Sequence, residues 1–287
     1  MNKTSLRGES YVLRMDYKLL LKKLISFTRG ALIGILTGVI ITLFSSVVAL
    51  GGKINARYPY LILLIPFAAV LTQWIYQHFG NTYKEGTVIA IDEINNNVID
   101  KDHENLATSQ IPKVINPVLI IINFITTFFT HVFGASGGKE GAGVQIGLST
   151  STLFYKAECL LYKPKANFSY YLMCGAASAF ASLFNAPIAG VFFGTQFAAP
   201  NTSRLDAYLS CISASFCSVF ISRALNIHTL SFNTVTTLPI SIGNFFLVIA
   251  FASIIGLLSI AITSFMNYTK SKFNNLTKNP YLKVLYP

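Results

Sequence analysis

The sequence predicts an all-α protein that crosses a membrane several times. Three observations predict it. The 287 residues are 53% hydrophobic and 11% charged, with a mean hydropathy of +0.55, whereas an ordinary soluble domain carries about 25% charged residues. The charges are clustered, so that residues 166–203 and 224–269 contain no Asp, Glu, Lys or Arg. Such stretches exceed the length of about 20 apolar residues that a spanning helix needs.

Taken in order, residues 31–50 form the first spanning helix, because no charge interrupts them. Residues 58–79 form the second. Pro59 suits its first turn, where a missing N–H costs nothing, and Pro66 is a kink site. Residues 80–97 read as a short, partly apolar element opening at Lys84-Glu85-Gly86-Thr87, and residues 100–113 as a polar connector. Residues 115–133 span again, and residues 140–155 make a short element that begins with a glycine run. Residues 166–183 form a helix rich in small residues (Gly175, Ala176, Ala177, Ser178, Ala179), which suits close helix packing. Residues 187–197 are too short to span, residues 205–221 span, and residues 243–268 form a long helix. Elements that stop halfway put helix ends inside the membrane. Irregular backbone is tolerated there only under cover of protein or in a water-filled cavity, and transporters hold ions at such broken helices.

The basic segments fix the orientation. Residues 1–29, 156–165 and the tail after Thr269 carry the excess of Lys and Arg, and the positive-inside rule places them in the cytoplasm. Lys53 and Arg57 then fall outside, a mild violation. The expected division is a basic leader at 1–29, a membrane domain at 30–270 and a basic tail at 271–287, in a multi-pass protein of the cell membrane with a cytoplasmic N-terminus. No short apolar core followed by a small-residue cleavage site marks a signal peptide. The net charge of +11 is explained by this bias, so nucleic acid is not an expected partner. Cys159, Cys174, Cys211 and Cys217 form no CxxC pair and imply neither a disulfide framework nor a metal site.

Glu140 stands out. It lies in Gly137-Gly138-Lys139-Glu140-Gly141-Ala142-Gly143-Val144-Gln145-Ile146-Gly147, between uncharged stretches. A charge at membrane depth costs about 2.5–3.5 kcal/mol or more, and such residues mark ion or proton paths. A helix starting near Gly141 would aim free N–H groups at whatever takes the carboxylate's place, a geometry that attracts anions. The bland alternative is that Glu140 pairs with Lys139 near an interface. A phosphate-loop reading fails, because Gly134 to Gly138-Lys139 is one residue short and Glu140 stands where Ser or Thr is needed. Asp92 and Glu93 point about 100° apart on a helix and suit a solvated face. Asn123 and His131 share roughly one face and read as packing with local hydrogen bonds, with a polar path as the other reading. Asn185, just before Pro187, reads as the cap of the short helix. No Ser/His/Asp or Cys/His set points to hydrolytic chemistry, and no enzyme activity or cofactor is expected.

Three stretches together resemble the CLC family of chloride channels and proton-coupled anion transporters. Gly138-Lys139-Glu140-Gly141, followed by Val144-Gln145-Ile146-Gly147, resembles the family's Gly-Lys/Arg-Glu-Gly-Pro signature, whose glutamate is the gate. Phe184-Asn185-Ala186-Pro187-Ile188-Ala189-Gly190 is similar to its Phe-Asn-Ala-Pro-Leu-Ala-Gly segment at fitting spacing. Glu85-Gly86-Thr87-Val88, leading to Ile91-Asp92-Glu93-Ile94, lies where the family has a Gly-Ser-Gly-Ile-Pro anion loop. That serine is missing here, and Ala142 replaces the proline after the gate. The position of the proton-passing internal glutamate falls near Gln196 or Phe197, neither of which titrates. These departures look more like the fluoride-exporting branch.

The resemblance implies a CLC-type bundle of tilted and half-spanning helices, holding the first of two inverted repeats plus one further helix. It implies a homodimer that moves halide, fluoride or chloride, in exchange for protons across the lipid bilayer. Glu140 would gate the path by mimicking an anion when ionised and swinging away when protonated. The backbone of Gly86, Thr87, Val88, Gly138, Lys139, Gly141, Ala142 and Gly143 would bind the anion, with Asn185, Pro187 and Gln196 as helix-end support. The later Gly-x-Phe-x-Pro loop and the pore tyrosine have no counterpart. A non-transporting component, or a subunit whose separate C-terminal half completes the pore, is the alternative of a different class.

Overall fold

The computed structural model describes residues 3–79, 87, 88, 90–92, 94, 117–135, 137–161, 168–197, 205–225, 239 and 241–274. Helix α1 runs over Lys3–Arg57, a 3-10 helix over Pro59–Leu64 and α2 over Ile65–Phe79. Then come α3 (Val118–Val132), α4 (Lys139–Leu161), α5 (Phe168–Phe184), α6 (Pro187–Gln196), α7 (Leu205–Ala224) and α8 (Ile242–Asn274). No strand occurs among the described residues.

Four boundaries differ from the sequence reading, the last being that of α8, which runs on to Asn274 through the start of the expected basic tail. The basic leader and the first span are one helix, because no proline interrupts a leucine- and lysine-rich run that favours helix. Residues 58–79 are a 3-10 turn followed by an α-helix rather than one kinked helix. The Pro66 ring cannot share an α-helix with the carbonyl one turn before it, so the helix type changes there. Helix α4 is 23 residues long, not a short element ending near Tyr155. Lys156, Ala157, Glu158, Cys159, Leu160 and Leu161 contain no breaker, and the first turn of the expected connector is helical instead. The polar connector expected at 100–113 lies outside the described residues. Of the element before it, Thr87, Val88, Ala90, Ile91, Asp92 and Ile94 are helical, with Ala90 and Ile94 fully buried.

Helix α5 is the hub. Almost all of its residues are buried, packed against α1, α4, α6 and α7. Small residues allow the close contacts. Gly30, Gly34 and Gly38 repeat every fourth residue on α1 and press against Ser210, Ala214 and Ser218, which repeat every fourth residue on α7. A Cβ on Gly34 would run into the Ala214 carbonyl, and one on Gly38 would lie 2.9 Å from the Ser218 carbonyl oxygen. Such stripes let two backbones approach where lipid offers no hydrophobic drive between helices. Gly147 of α4 and Gly175 of α5 meet similarly, each facing the other's carbonyl oxygen. Aromatic pairs fill wider gaps: Phe44 of α1 meets Phe124 of α3 at 5.3 Å, and Phe180 of α5 stacks on Phe193 of α6 at 4.4 Å.

One buried ion pair ties these helices at one end. Arg29 Nε donates to Glu158 Oε1 at 2.7 Å, and Tyr171 Oη donates to Glu158 Oε2 at 2.7 Å. Ser26 and Ser210 hydroxyls meet beside it at 2.6 Å. Helix α8 is the opposite case. Among the described residues, no residue of its 28-residue apolar stretch Ile242–Thr269 is buried.

Candidate functional site

The site begins where α3 stops. Gly134 takes φ +71°, which glycine adopts without strain. Ala135 N–H donates to the Thr130 carbonyl at 3.0 Å, closing the helix end. Asn55 of α1 donates its side-chain N–H to the Val132 carbonyl at 3.1 Å. The chain then reverses, and α4 begins at Lys139.

With Lys139 as the first helical residue, the N–H groups of Gly138, Lys139, Glu140 and Gly141 have no acceptor within the helix. Glu140 is the second residue. Its carboxylate folds back over Gly138, where a Cβ would lie 2.5 Å from Glu140 Oε2. Only glycine leaves that space open. The acid therefore sits at the positive end of the α4 dipole. Among the described residues Glu140 makes no ion pair, with Lys139 or any other base.

Beside this helix end is a cavity of about 310 Å³. Gly137 and Gly138 before α4 and Gly141, Ala142 and Gln145 within it form one wall. Asn123, Thr126, Thr127 and Thr130 of α3 line another side, and Thr72 and Tyr76 of α2 complete it. A relay of hydrogen bonds crosses it. Tyr76 Oη donates to Asn123 Oδ1 at 2.8 Å, and Asn123 Nδ2 donates to Gln145 Oε1 at 3.1 Å. Asn123 is 1% exposed, so both ends of its amide are satisfied inside the protein. Thr126 and Thr130 donate to the carbonyls of Ile122 and Thr126, each at 2.8 Å.

The expected site residues divide. Gly138, Gly141 and Ala142 face the cavity, and Glu140 lies against its Gly138 wall. Gly143 is buried against Leu183 instead. Thr87 and Val88 are helical, and Gly86 lies outside the described residues, as do Lys84, Glu85 and Glu93. Pro187 is the first residue of α6, and Gln196, its last, is exposed and does not line the cavity. Phe197 rests on Phe193 at 5.4 Å. Asn185 does not cap α6. That N-cap is Ala186, without a side-chain bond. Asn185 takes φ +54° at the end of α5, a conformation asparagine tolerates, and its Oδ1 accepts from Arg223 Nε of α7 at 2.7 Å. His131 bonds the Thr127 carbonyl at 2.8 Å and does not line the cavity.

Sequence reasoning missed Tyr76, Gln145 and the threonines. A signal existed: Asn123, Thr126, Thr127 and Thr130 fall at i, i+3, i+4 and i+7, one polar stripe on an apolar helix.

Comparison with known proteins gives a consistent result. A family model described as "Voltage gated chloride channel" matches residues 67–287. A "Chloride/fluoride channel protein" from Pseudomonas syringae pv. tomato is 27% identical over 201 residues, covering 70% of this chain and 40% of that protein. The structure resembles a CLC-type fluoride/proton antiporter with a TM-score of 0.70 at 22% identity, covering 93% of this chain and 62% of that one. It also resembles a slow cyanobacterial Cl⁻/H⁺ antiporter, with a TM-score of 0.64 at 18% identity, covering 91% and 61%. At these identities the structural likeness establishes the fold. The chain spans less than two thirds of the length of each of these relatives.

Proposed function

Because the chain belongs to the voltage gated chloride channel family, we propose that it provides an anion path across the cell membrane, carrying fluoride outward in exchange for protons, with Glu140 as the gate. The observation that carries this reading is the Glu140 carboxylate turned back over Gly138 at the start of α4, beside the polar cavity. An ionised carboxylate there holds the place a small anion would take at the free N–H groups of Gly138 to Gly141. Protonation removes its charge and its attraction to the helix end, and frees that place. Fluoride is preferred over chloride because the serine loop is missing and no titratable group stands at Gln196 or Phe197, and two of the relatives are named for fluoride. The membrane domain is assigned to residues 30–270 with a cytoplasmic N-terminus. The Arg29–Glu158 contact supports that orientation by placing the basic start of α1 and Lys156 at one end.

The test is fluoride efflux from liposomes holding the purified 287-residue chain, read with a fluoride electrode. Efflux coupled to proton uptake is expected for the wild type, and its coupling should vanish in Glu140→Gln. Unchanged coupled efflux in that variant removes Glu140 as the gate.

The exposure of α8 favours a second reading. A 28-residue apolar stretch that no other described residue covers presents its surface to lipid or another polypeptide. In this reading the chain is a subunit that transports only with a separate C-terminal half. A downstream reading frame carrying Gly-x-Phe-x-Pro and further apolar helices would support it, as would efflux that appears only on co-expression of that half. A second copy, giving a homodimer, is the other occupant that such co-expression would distinguish.

A further inference from the structure

We propose that Gln145 is a direct anion contact whose orientation is set by Tyr76 and Asn123, and that it favours fluoride over chloride. This rests on the reading of the cavity as part of an anion path. The relay has a direction. Tyr76 Oη donates a hydrogen bond to Asn123 Oδ1, which leaves Asn123 Nδ2 turned toward Gln145 and donating to Gln145 Oε1. The carbonyl end of Gln145 is thereby used, and both N–H donors of its Nε2 have no partner among the described residues. Gln145 lines the cavity one helical turn after Gly141, on the wall that also carries Gly138 and the free N–H groups.

A second observation points to a ligand here. Thr127 is 8% exposed and lines the same cavity, yet its hydroxyl has no hydrogen bond among the described residues. Thr126 and Thr130, on either side, have committed their protons to α3 carbonyls. A hydroxyl with an uncommitted proton and an amide with two uncommitted N–H groups, both lining one cavity, make a donor-rich wall. A small anion of high charge density gains most from such fixed donors, because charge-assisted hydrogen bonds shorten and strengthen with the acceptor's basicity. Fluoride accepts more strongly than chloride, so loss of these donors should fall harder on fluoride.

The experiment is isothermal titration of the full chain, in detergent or nanodiscs, with sodium fluoride and separately with sodium chloride. The wild type should bind fluoride. Gln145→Met, close in shape but without donors, should weaken fluoride at least 10-fold and chloride less, lowering the fluoride-to-chloride ratio. Thr127→Val should act in the same direction, more weakly. Tyr76→Phe should lower the same ratio a few-fold through Gln145, a change that a purely structural tyrosine would not produce. Where Gln145→Met fails to fold, Gln145→Glu is the substitute, and it should lose fluoride binding altogether. Wild-type affinity and ratio in the folded Gln145 variant would overturn the assignment while leaving the anion path intact. A wild-type chain that binds neither halide would overturn both.

Discussion

Arg29 and Glu158, 129 residues apart in sequence, meet at 2.7 Å with the carboxylate 6% exposed and the guanidinium side chain 17% exposed. The Arg29 guanidinium also lies 6.0 Å from the centre of the Tyr171 ring, whose hydroxyl holds the other Glu158 oxygen. One carboxylate thus joins α1, α4 and α5. The first prediction follows from the cost of leaving a buried charge alone. Arg29→Met or Glu158→Leu should destabilise the fold by about 3–5 kcal/mol, and Tyr171→Phe by about 1–2 kcal/mol. Thermal unfolding in detergent reads both, and a melting point unmoved by Arg29→Met would show that the pair holds nothing together.

The second prediction concerns the α1–α7 seam. Gly34→Leu places a branched side chain against the Ala214 backbone, which cannot move aside as a side-chain tip can. Monodisperse protein should be lost on size-exclusion chromatography. Gly256→Ala on α8, with nothing within 4 Å of the added carbon, is the control. It should fold as the wild type, with up to about 1 kcal/mol of added helix stability.

The third prediction concerns Gly138. Gly138→Ala puts a methyl 2.5 Å from where Glu140 Oε2 now lies, so the carboxylate must leave the helix end. In the liposome assay basal fluoride efflux should rise several-fold and depend less on protons. Efflux equal to wild type would mean that the folded-back rotamer is irrelevant to flux.

The sequence made the helices, the Glu140 run and a glycine-rich start of α4 readable, because uninterrupted apolar stretches and glycine clusters are local properties. It did not reveal the far wall of the cavity. Tyr76 and Gln145 are 69 positions apart and read as ordinary polar residues until the fold puts Asn123 between them. The stripe at Asn123, Thr126, Thr127 and Thr130 is visible in the sequence, but nothing local shows what it faces. The α1 glycine stripe also becomes meaningful only opposite Ser210, Ala214 and Ser218. The true end of α4 was hidden because Lys156 and Glu158 look like loop charges unless one knows that Glu158 has Arg29 to face.

A fourth prediction tests the bend after α5. Asn185→Gly keeps φ +54° accessible, whereas Asn185→Ala does not. Both lose the Arg223 contact, so their difference isolates the backbone. It should be about 1–2 kcal/mol in favour of glycine, or about 2–4 °C or more in melting temperature.

Helix α1 has a mechanical consequence of its own. Its 55 residues make a rod of about 83 Å at 1.5 Å per residue, while a bilayer with its headgroups is about 40–45 Å thick. Upright, close to half of that length would extend beyond the bilayer and its headgroups. A tilt of about 20°, ordinary for a spanning helix, would sweep its tip about 14 Å sideways, so small rocking of the membrane part would be felt as a large displacement at the far end.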